Sequence, residues 1–321
     1  MSRASSSLVI ACALFAGACA TDDDDTTSAS ASTSASTSTT ATPATTTTAP
    51  APTTTAPDPV DSPLDVDTPA TVADAVSAFT RTEQGLRTDP LTPEEARALS
   101  WEQQIAYREL ATHPEWLPDV LAQLPPDVRP IVEANHTAGQ LLTELAEPQP
   151  TLPDWRILVP APPEELMGYY REVEAASGIP WPYLAAIHFV ESRTGRIRGL
   201  SVAGAQGPMQ FIPETWANFG QGDVYDNRDA ILAAGRYLDS SGGPEDMRRA
   251  LFAYNNHDSY VAAIEIYAGH ILADERAYRG YYHWQVYYAT TAGSHLLPEG
   301  YPDVPAEVTS SGGLATMALP R

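Results

Sequence analysis

The chain has 321 residues, 41 of them acidic and 18 basic, for a formal net charge of -23. A nucleic-acid partner requires a basic footprint, so that class is excluded, while the length leaves room for one or two domains with a real core. The two cysteines, Cys12 and Cys19, lie near the N-terminus, which leaves the folded part with neither a disulfide nor a cysteine metal site. The seven histidines show no HxxxH or HxxEH spacing, which argues against a zinc enzyme.

Residues 1–18 read as a signal peptide. Arg3 supplies the positive start, and Leu8 to Ala18 is an apolar run ending in Ala and Gly. The run is too short for an ordinary transmembrane helix. Two processing readings compete. Ala18-Cys19-Ala20 fits an A-x-A cleavage site and a secreted product. Gly17-Ala18-Cys19 fits the end of a bacterial lipobox with Cys19 carrying the lipid, although Ala16 stands where a Leu is usual. The composition of residues 19–60 favours the lipidated reading. They hold the acidic run Asp22 to Asp25 and then a Ser/Thr/Ala/Pro tract, which lacks the apolar surface to fold. A disordered tether behind a membrane anchor would let a folded domain reach outward.

Residues 61–150 carry a helical pattern from about Val66 to Glu147. Thr92-Pro93-Glu94-Glu95 is a helix start, with Thr at the cap and Pro in the first turn. Trp101, Ile105, Leu110 and Trp116 form an apolar stripe, and Asp127 to Leu145 gives another helix. No chemical motif is visible here, so the region reads as a helical accessory that packs on the C-terminal half of the chain. A Pro-rich stretch, Pro148 to Pro163, marks a boundary.

Residues 151–300 are the informative part, and 301–321 read as a C-terminal tail. Helices are expected over Pro163 to Ser177, Pro180 to Ser192, Pro213 to Phe219, Asp226 to Leu238, Pro244 to Asn255 and Ser259 to Ala273. The second is apolar on nearly every face, as a buried helix must be. Gly195 to Gly207 is a Gly-rich loop. Asp223, Asp226 and Asp229 could hold calcium, but a helix cap at Asp226 with Asp229 three positions on accounts for that pair more simply. No run alternates as a strand apart from a hairpin somewhere in Tyr278 to Leu297. The expected class is all-α, with no metal site.

Glu191 stands out chemically. It closes the buried helix, where desolvation and the negative end of the helix dipole both raise a carboxyl pKa. Such a group can act as a general acid near neutral pH. Arg193, Arg196 and Arg198 come next in the chain and would oppose that shift if they pointed inward, so a partly exposed Glu191 paired with Arg193 is the competing reading. Chemistry alone does not choose between them.

Three blocks in order bear on the choice: Glu191-Ser192, then Ser201-Val202-Ala203-Gly204-Ala205-Gln206-Gly207-Pro208-Met209-Gln210, then Ala253-Tyr254-Asn255. Together they resemble the soluble lytic transglycosylase (SLT) family, a lysozyme-like superfold related to goose-type lysozyme, over about Glu164 to Ala273. Ile197 to Trp216 looks close to the form seen in exported actinobacterial members. The resemblance implies a peptidoglycan-cleaving enzyme without cofactor. It implies Glu191 as the single acid/base and Ser201 as a residue that orients substrate or bonds near the acid. Gly204, Ala205 and Gly207 match a turn that lets a sugar approach the backbone. Met209, Gln210 and Asn255 match groove residues, and Tyr254 matches a hydroxyl beside the acid. Packing at helical spacing is the plainer reading of Met209 and Tyr254.

The reaction implied also fits the carboxylates. Most glycosidases use two, about 5 to 9.5 Å apart, yet from Ser192 to Pro213 there is no Asp or Glu. In the family the substrate's N-acetyl group replaces the second carboxylate, and a 1,6-anhydro sugar is the product. A hydrolytic muramidase on the same fold would need Glu214 or Asp223 to activate water, and an inactive wall-binding scaffold would need neither.

Overall fold

The structure is a computed structural model that describes residues 66–309. Expectations for residues 1–65, including Cys19 and the tether, and for the tail after 309 lie outside the described residues.

Four helices come first: α1 (Val72–Gly85), α2 (Pro93–Thr112), α3 (Leu117–Gln123) and α4 (Arg129–Thr143). Side-chain caps set the starts of the first two. Thr71 accepts from the Asp74 amide, and Thr92 and Glu95 form a reciprocal capping box before Pro93. Seven more helices complete the set: α5 (Pro163–Ser177), α6 (Trp181–Ser192), α7 (Pro213–Phe219), α8 (Asn227–Ser240), α9 (Met247–Tyr254), α10 (Asp258–Ala273) and α11 (Ala277–His283). The segment expected as Pro244 to Asn255 begins only at Met247, because Asp246 caps it by accepting the Arg249 amide.

Helix α6 lies at the centre. Its residues are buried except Tyr183, and α5, α8, α10 and α11 pack around it. Helix α10 also packs on α4, and α2 packs on α11. One apolar core therefore runs from Phe79, Leu110 and Val132 through Leu184, Ile187 and Phe189 to Ile264 and Trp284. A buried polar network crosses the same junction. Glu83 accepts from Tyr107 at 2.6 Å and from Gln103 at 3.0 Å, and pairs with Arg87 at 2.6 Å. Asn135 donates to Tyr107, and Tyr281 donates to Asn135 at 2.7 Å. A buried carboxylate is tolerated only when satisfied in this way, and such a network specifies one arrangement of the helices.

The strands form two small sheets. β1 (Arg156–Ile157) pairs antiparallel with β2 (Ile197–Arg198). β3 (Val286–Thr290), β4 (Gly293–Leu297) and β5 (Glu307–Val308) make the other, in the order β3-β4-β5. The expected hairpin is β3–β4, preceded by helix α11 rather than by more strand. β1, β2 and β5 have two residues each, too few to show a period of two. The fold is predominantly helical with small accessory sheets, consistent with a lysozyme-like SLT architecture. No helix among the described residues is long and apolar enough to cross a membrane.

Candidate functional site

Helix α6 ends abruptly. Arg193 and Thr194 both take left-handed conformations (φ 54° and 58°), and the Thr194 amide reaches back to the His188 carbonyl at 3.0 Å. Such non-glycine residues cost about 1–3 kcal/mol each and persist only where surroundings hold them. Arg193 holds itself: its guanidinium donates to the Phe189 carbonyl at 2.9 Å and stacks over the Phe189 ring. Arg196 donates to the Tyr282 carbonyl at 2.6 Å and approaches Glu299. Both arginines serve the chain end of α6, so the pairing of Arg193 with Glu191 does not occur.

Glu191 is the penultimate residue of α6 and is 4% exposed. The Tyr260 hydroxyl, from the first turn of α10, donates to Glu191 Oε1 at 2.6 Å. Burial first, and then the nearness of Tyr254, push the Tyr260 phenol well above its ordinary range. It therefore stays a donor at any physiological pH. Three residues before Glu191, His188 bonds the Tyr170 hydroxyl at 2.7 Å, and burial pushes it down to about 3. It is a neutral anchor of the helix.

The loop after β2 is brought to this helix end by two hydroxyls acting on consecutive carbonyls. Ser192 donates to the Pro208 carbonyl at 2.5 Å, and Tyr254 donates to the Met209 carbonyl at 2.7 Å. Around these two carbonyls the chain turns sharply. Gly207 has φ 77° and Gln210, although not glycine, has φ 49°. The Gln210 amide and its side-chain amide both bond the Gly207 carbonyl. Upstream, Ser201 Oγ accepts from the Ala205 amide at 2.9 Å, closing a turn that contains Gly204 at φ 79°.

These contacts separate the expected site residues. Ser201, Gly204, Gly207 and Gln210 belong to one loop pinned against the helix that carries Glu191. Asn255 comes directly after α9; it is buried and its Oδ1 meets no donor among the described residues. Three further residues are placed as follows. The Tyr254 hydroxyl donates to the Met209 carbonyl and lies near Tyr260, the tyrosine that bonds Glu191. The Met209 side chain is 0% exposed and packs in the core, which agrees with the plainer packing reading, and Ala205 is buried within the turn. Tyr260 and Ser192 take roles that were not anticipated. Tyr260 had a faint signal, a hydroxyl on the buried stripe Tyr260, Ile264, Tyr267, but that stripe reads as core.

The three aspartates are engaged by backbone. Asp226 caps α8 by accepting from the Asp229 amide, Asp229 accepts from the Asp223 amide, and Asp223 accepts from the Tyr225 amide, each at 2.9 Å. Capping and turn closure account for all three.

Residues 168–270 match the family described as Transglycosylase SLT domain. The chain contains an SLT domain. That span runs from within α5 to near the end of α10 and encloses Glu191, the loop and Tyr260. The chain is also similar to the membrane-bound lytic murein transglycosylase F of Thiobacillus denitrificans (strain ATCC 25259 / T1), at 36% identity over 74 residues, covering 23% of this chain and 16% of that protein. The chain thus spans about a sixth of that relative's length. No solved structure matches.

The contact between Tyr260 and Glu191 makes Tyr260→Phe informative. One hydrogen bond to a buried carboxyl would be lost while ring packing is kept. If Glu191 carries the activity proposed below, turnover should fall about tenfold, with the fold's near-ultraviolet circular dichroism unchanged. Wild-type turnover in the Phe variant would remove Tyr260 from the site.

Proposed function

We propose that the chain is a peptidoglycan lytic transglycosylase that cuts the MurNAc-GlcNAc β-1,4 bond, with Glu191 as its single acid/base. The observation that carries this reading is a buried carboxyl at the end of α6, held by the Tyr260 hydroxyl at 2.6 Å, inside the matched SLT span. Glu191 would protonate the glycosidic oxygen as the bond to the MurNAc anomeric carbon breaks. The substrate's N-acetyl carbonyl would stabilise that carbon. The Glu191 carboxylate would then take the proton from the sugar's C6 hydroxyl as its oxygen attacks C1. Glu191 ends protonated as it began, the product carries a 1,6-anhydro end, and no water is consumed.

The carboxylate distribution supports transfer over hydrolysis. Glu214 and Asp223 are exposed, and Asp223 Oδ1 accepts the Tyr225 amide. Ser201, Gly204, Gly207, Gln210 and Asn255 would line the glycan groove. The burial of Ala205 and Met209 and the bond made by Tyr254 support giving those three the task of holding the turn behind it. The test is mass spectrometry of digested peptidoglycan. Anhydro ends are expected; ordinary reducing ends would mean a muramidase, and intact strands a binding protein.

The same reading places the protein in the cell envelope, exported and tethered through a lipid on Cys19. Cys19→Ala should move it from the membrane fraction to the soluble fraction. A Cys19→Ala protein that stays on membranes would refute the anchor, and a wild-type protein found only in the medium would favour cleavage at Ala18-Cys19-Ala20.

A further inference from the structure

The paired strands β1 and β2 have a face that neither the fold nor the acid/base chemistry uses. Ile157 and Ile197 are register partners and point inward, buried with Trp155, Tyr288 and Leu297. Arg156 and Arg198 are also register partners, on the opposite face, and both are exposed. Like charges placed directly across a strand pair destabilise it. Neither arginine has a carboxylate within ion-pair distance among the described residues, in a chain whose net charge is -23. Arg198 is steadied by donating to the Tyr225 carbonyl at 2.9 Å with its guanidinium over the Tyr225 ring. Arg156 makes no side-chain hydrogen bond or ion pair among the described residues.

Exposed aliphatic residues follow each strand in the chain. Leu158 and Leu200 are exposed, and Val159 and Val202 are each 71% exposed. The strand pair is rigidly joined to the proposed groove. Arg198 lies three residues before Ser201, and Trp155 in front of β1 donates its indole N–H to the Leu200 carbonyl at 2.9 Å. The Trp155 ring also lies so close to Gly199 that a side chain there would strike it. The strand pair thus carries two guanidinium groups without carboxylate partners, with exposed aliphatic residues directly after each strand, as a lip leading into the loop of the proposed groove.

We infer that this lip is a subsite for the peptide stem borne by the glycan strand, with Arg156 and Arg198 taking stem carboxylates and the aliphatic residues covering its alkyl groups. The inference rests on the proposed glycan substrate. Charge complementarity selects the occupant. Most of the surface repels an anionic peptide, so an unpaired arginine pair next to the groove both attracts the stem and sets its register. Guanidinium suits carboxylates because its planar fork can bond both oxygens.

The test uses the full chain with Glu191→Gln to prevent digestion, and compares binding to intact peptidoglycan with binding to peptidoglycan stripped of its peptides by an amidase. Arg156→Ala should weaken binding to the peptide-bearing wall about fivefold, the upper range for an exposed ion pair. Arg156→Glu should weaken it further. Binding to the stripped wall should not change, and the melting temperature should hold or rise slightly, because Arg156 has no intramolecular bond to lose and its removal relieves the repulsion across the strand pair. Equal losses on both walls, no loss on the peptide-bearing wall, or no preference for that wall before mutation would each overturn the inference. Cleavage of stripped strands by the chain with native Glu191 tests the proposed reaction separately. A chain that prefers peptide-bearing wall through Arg156 yet cuts neither substrate would refute the reaction and leave the subsite standing.

Discussion

Glu191→Gln should reduce glycan cleavage by about a thousandfold or more while leaving the fold intact. General acid–base catalysis by one positioned group contributes roughly 10²–10⁴. In the proposed reaction Glu191 serves as the acid and then as the base, so both roles are lost together. The amide keeps the shape of the carboxyl and can still accept the Tyr260 hydroxyl, so packing at the end of α6 has no reason to change. The measurements are muropeptide release over time and a calorimetric melt of the same preparation. A folded Gln variant that retains more than a few per cent of wild-type turnover would remove Glu191 from the chemistry. A large drop in melting temperature would instead mean that the buried group is there for stability.

Gly207→Ala should be the most damaging single methyl addition in the loop. Gly207 sits at φ 77°, and a Cβ there would run into the Val224 backbone carbonyl. The conformational term alone costs about 1–2 kcal/mol for an L-residue, and the clash is with main chain, which cannot swing aside. A loss of about 3 kcal/mol is expected, or roughly 6–12 °C in melting temperature for a domain of this size. Activity should fall with it, because displacing Gly207 releases the carbonyl that holds Gln210. Gly204→Ala is the control. It has nearly the same φ, 79°, but nothing lies within 4 Å of the added carbon. Only the conformational cost of about 1–2 kcal/mol remains, so its melting temperature should fall by about one to two thirds as much. Equal effects at the two positions would show that backbone preference, not the Val224 contact, sets the cost.

The helical architecture and the place of Glu191 could be read locally. Thr92 with Glu95 and Asp226 with Asp229 signal helix starts through bonds spanning three residues, which a sequence displays directly. The apolar run from Tyr183 to Val190 announces a buried helix because no face is left for water. The loop motif from Ser201 to Gln210 is contiguous, so its resemblance survives without coordinates. The arginines after Glu191 were ambiguous because direction is not encoded by spacing. A left-handed pair at Arg193 and Thr194 turns the chain away, and that turn depends on packing against Phe189 and Tyr282.

By itself the sequence determined that a carboxyl ends an apolar helix, that a Gly-rich turn comes after it, and that no second carboxylate lies within that turn. Which tyrosine reaches Glu191 was decided only by the tertiary structure. Tyr254 and Tyr260 are six residues apart and chemically identical, but the break between α9 and α10 directs one hydroxyl to the Met209 carbonyl and the other to Glu191, 69 residues away in sequence. The pairing of Arg156 with Arg198 was decided in the same way. Two-residue strands carry no readable period, and their register is imposed by burying Ile157 and Ile197 against Trp155 and Tyr288. A hydrogen bond or a register between distant segments is set by how the whole core closes, and no local run of residues encodes it.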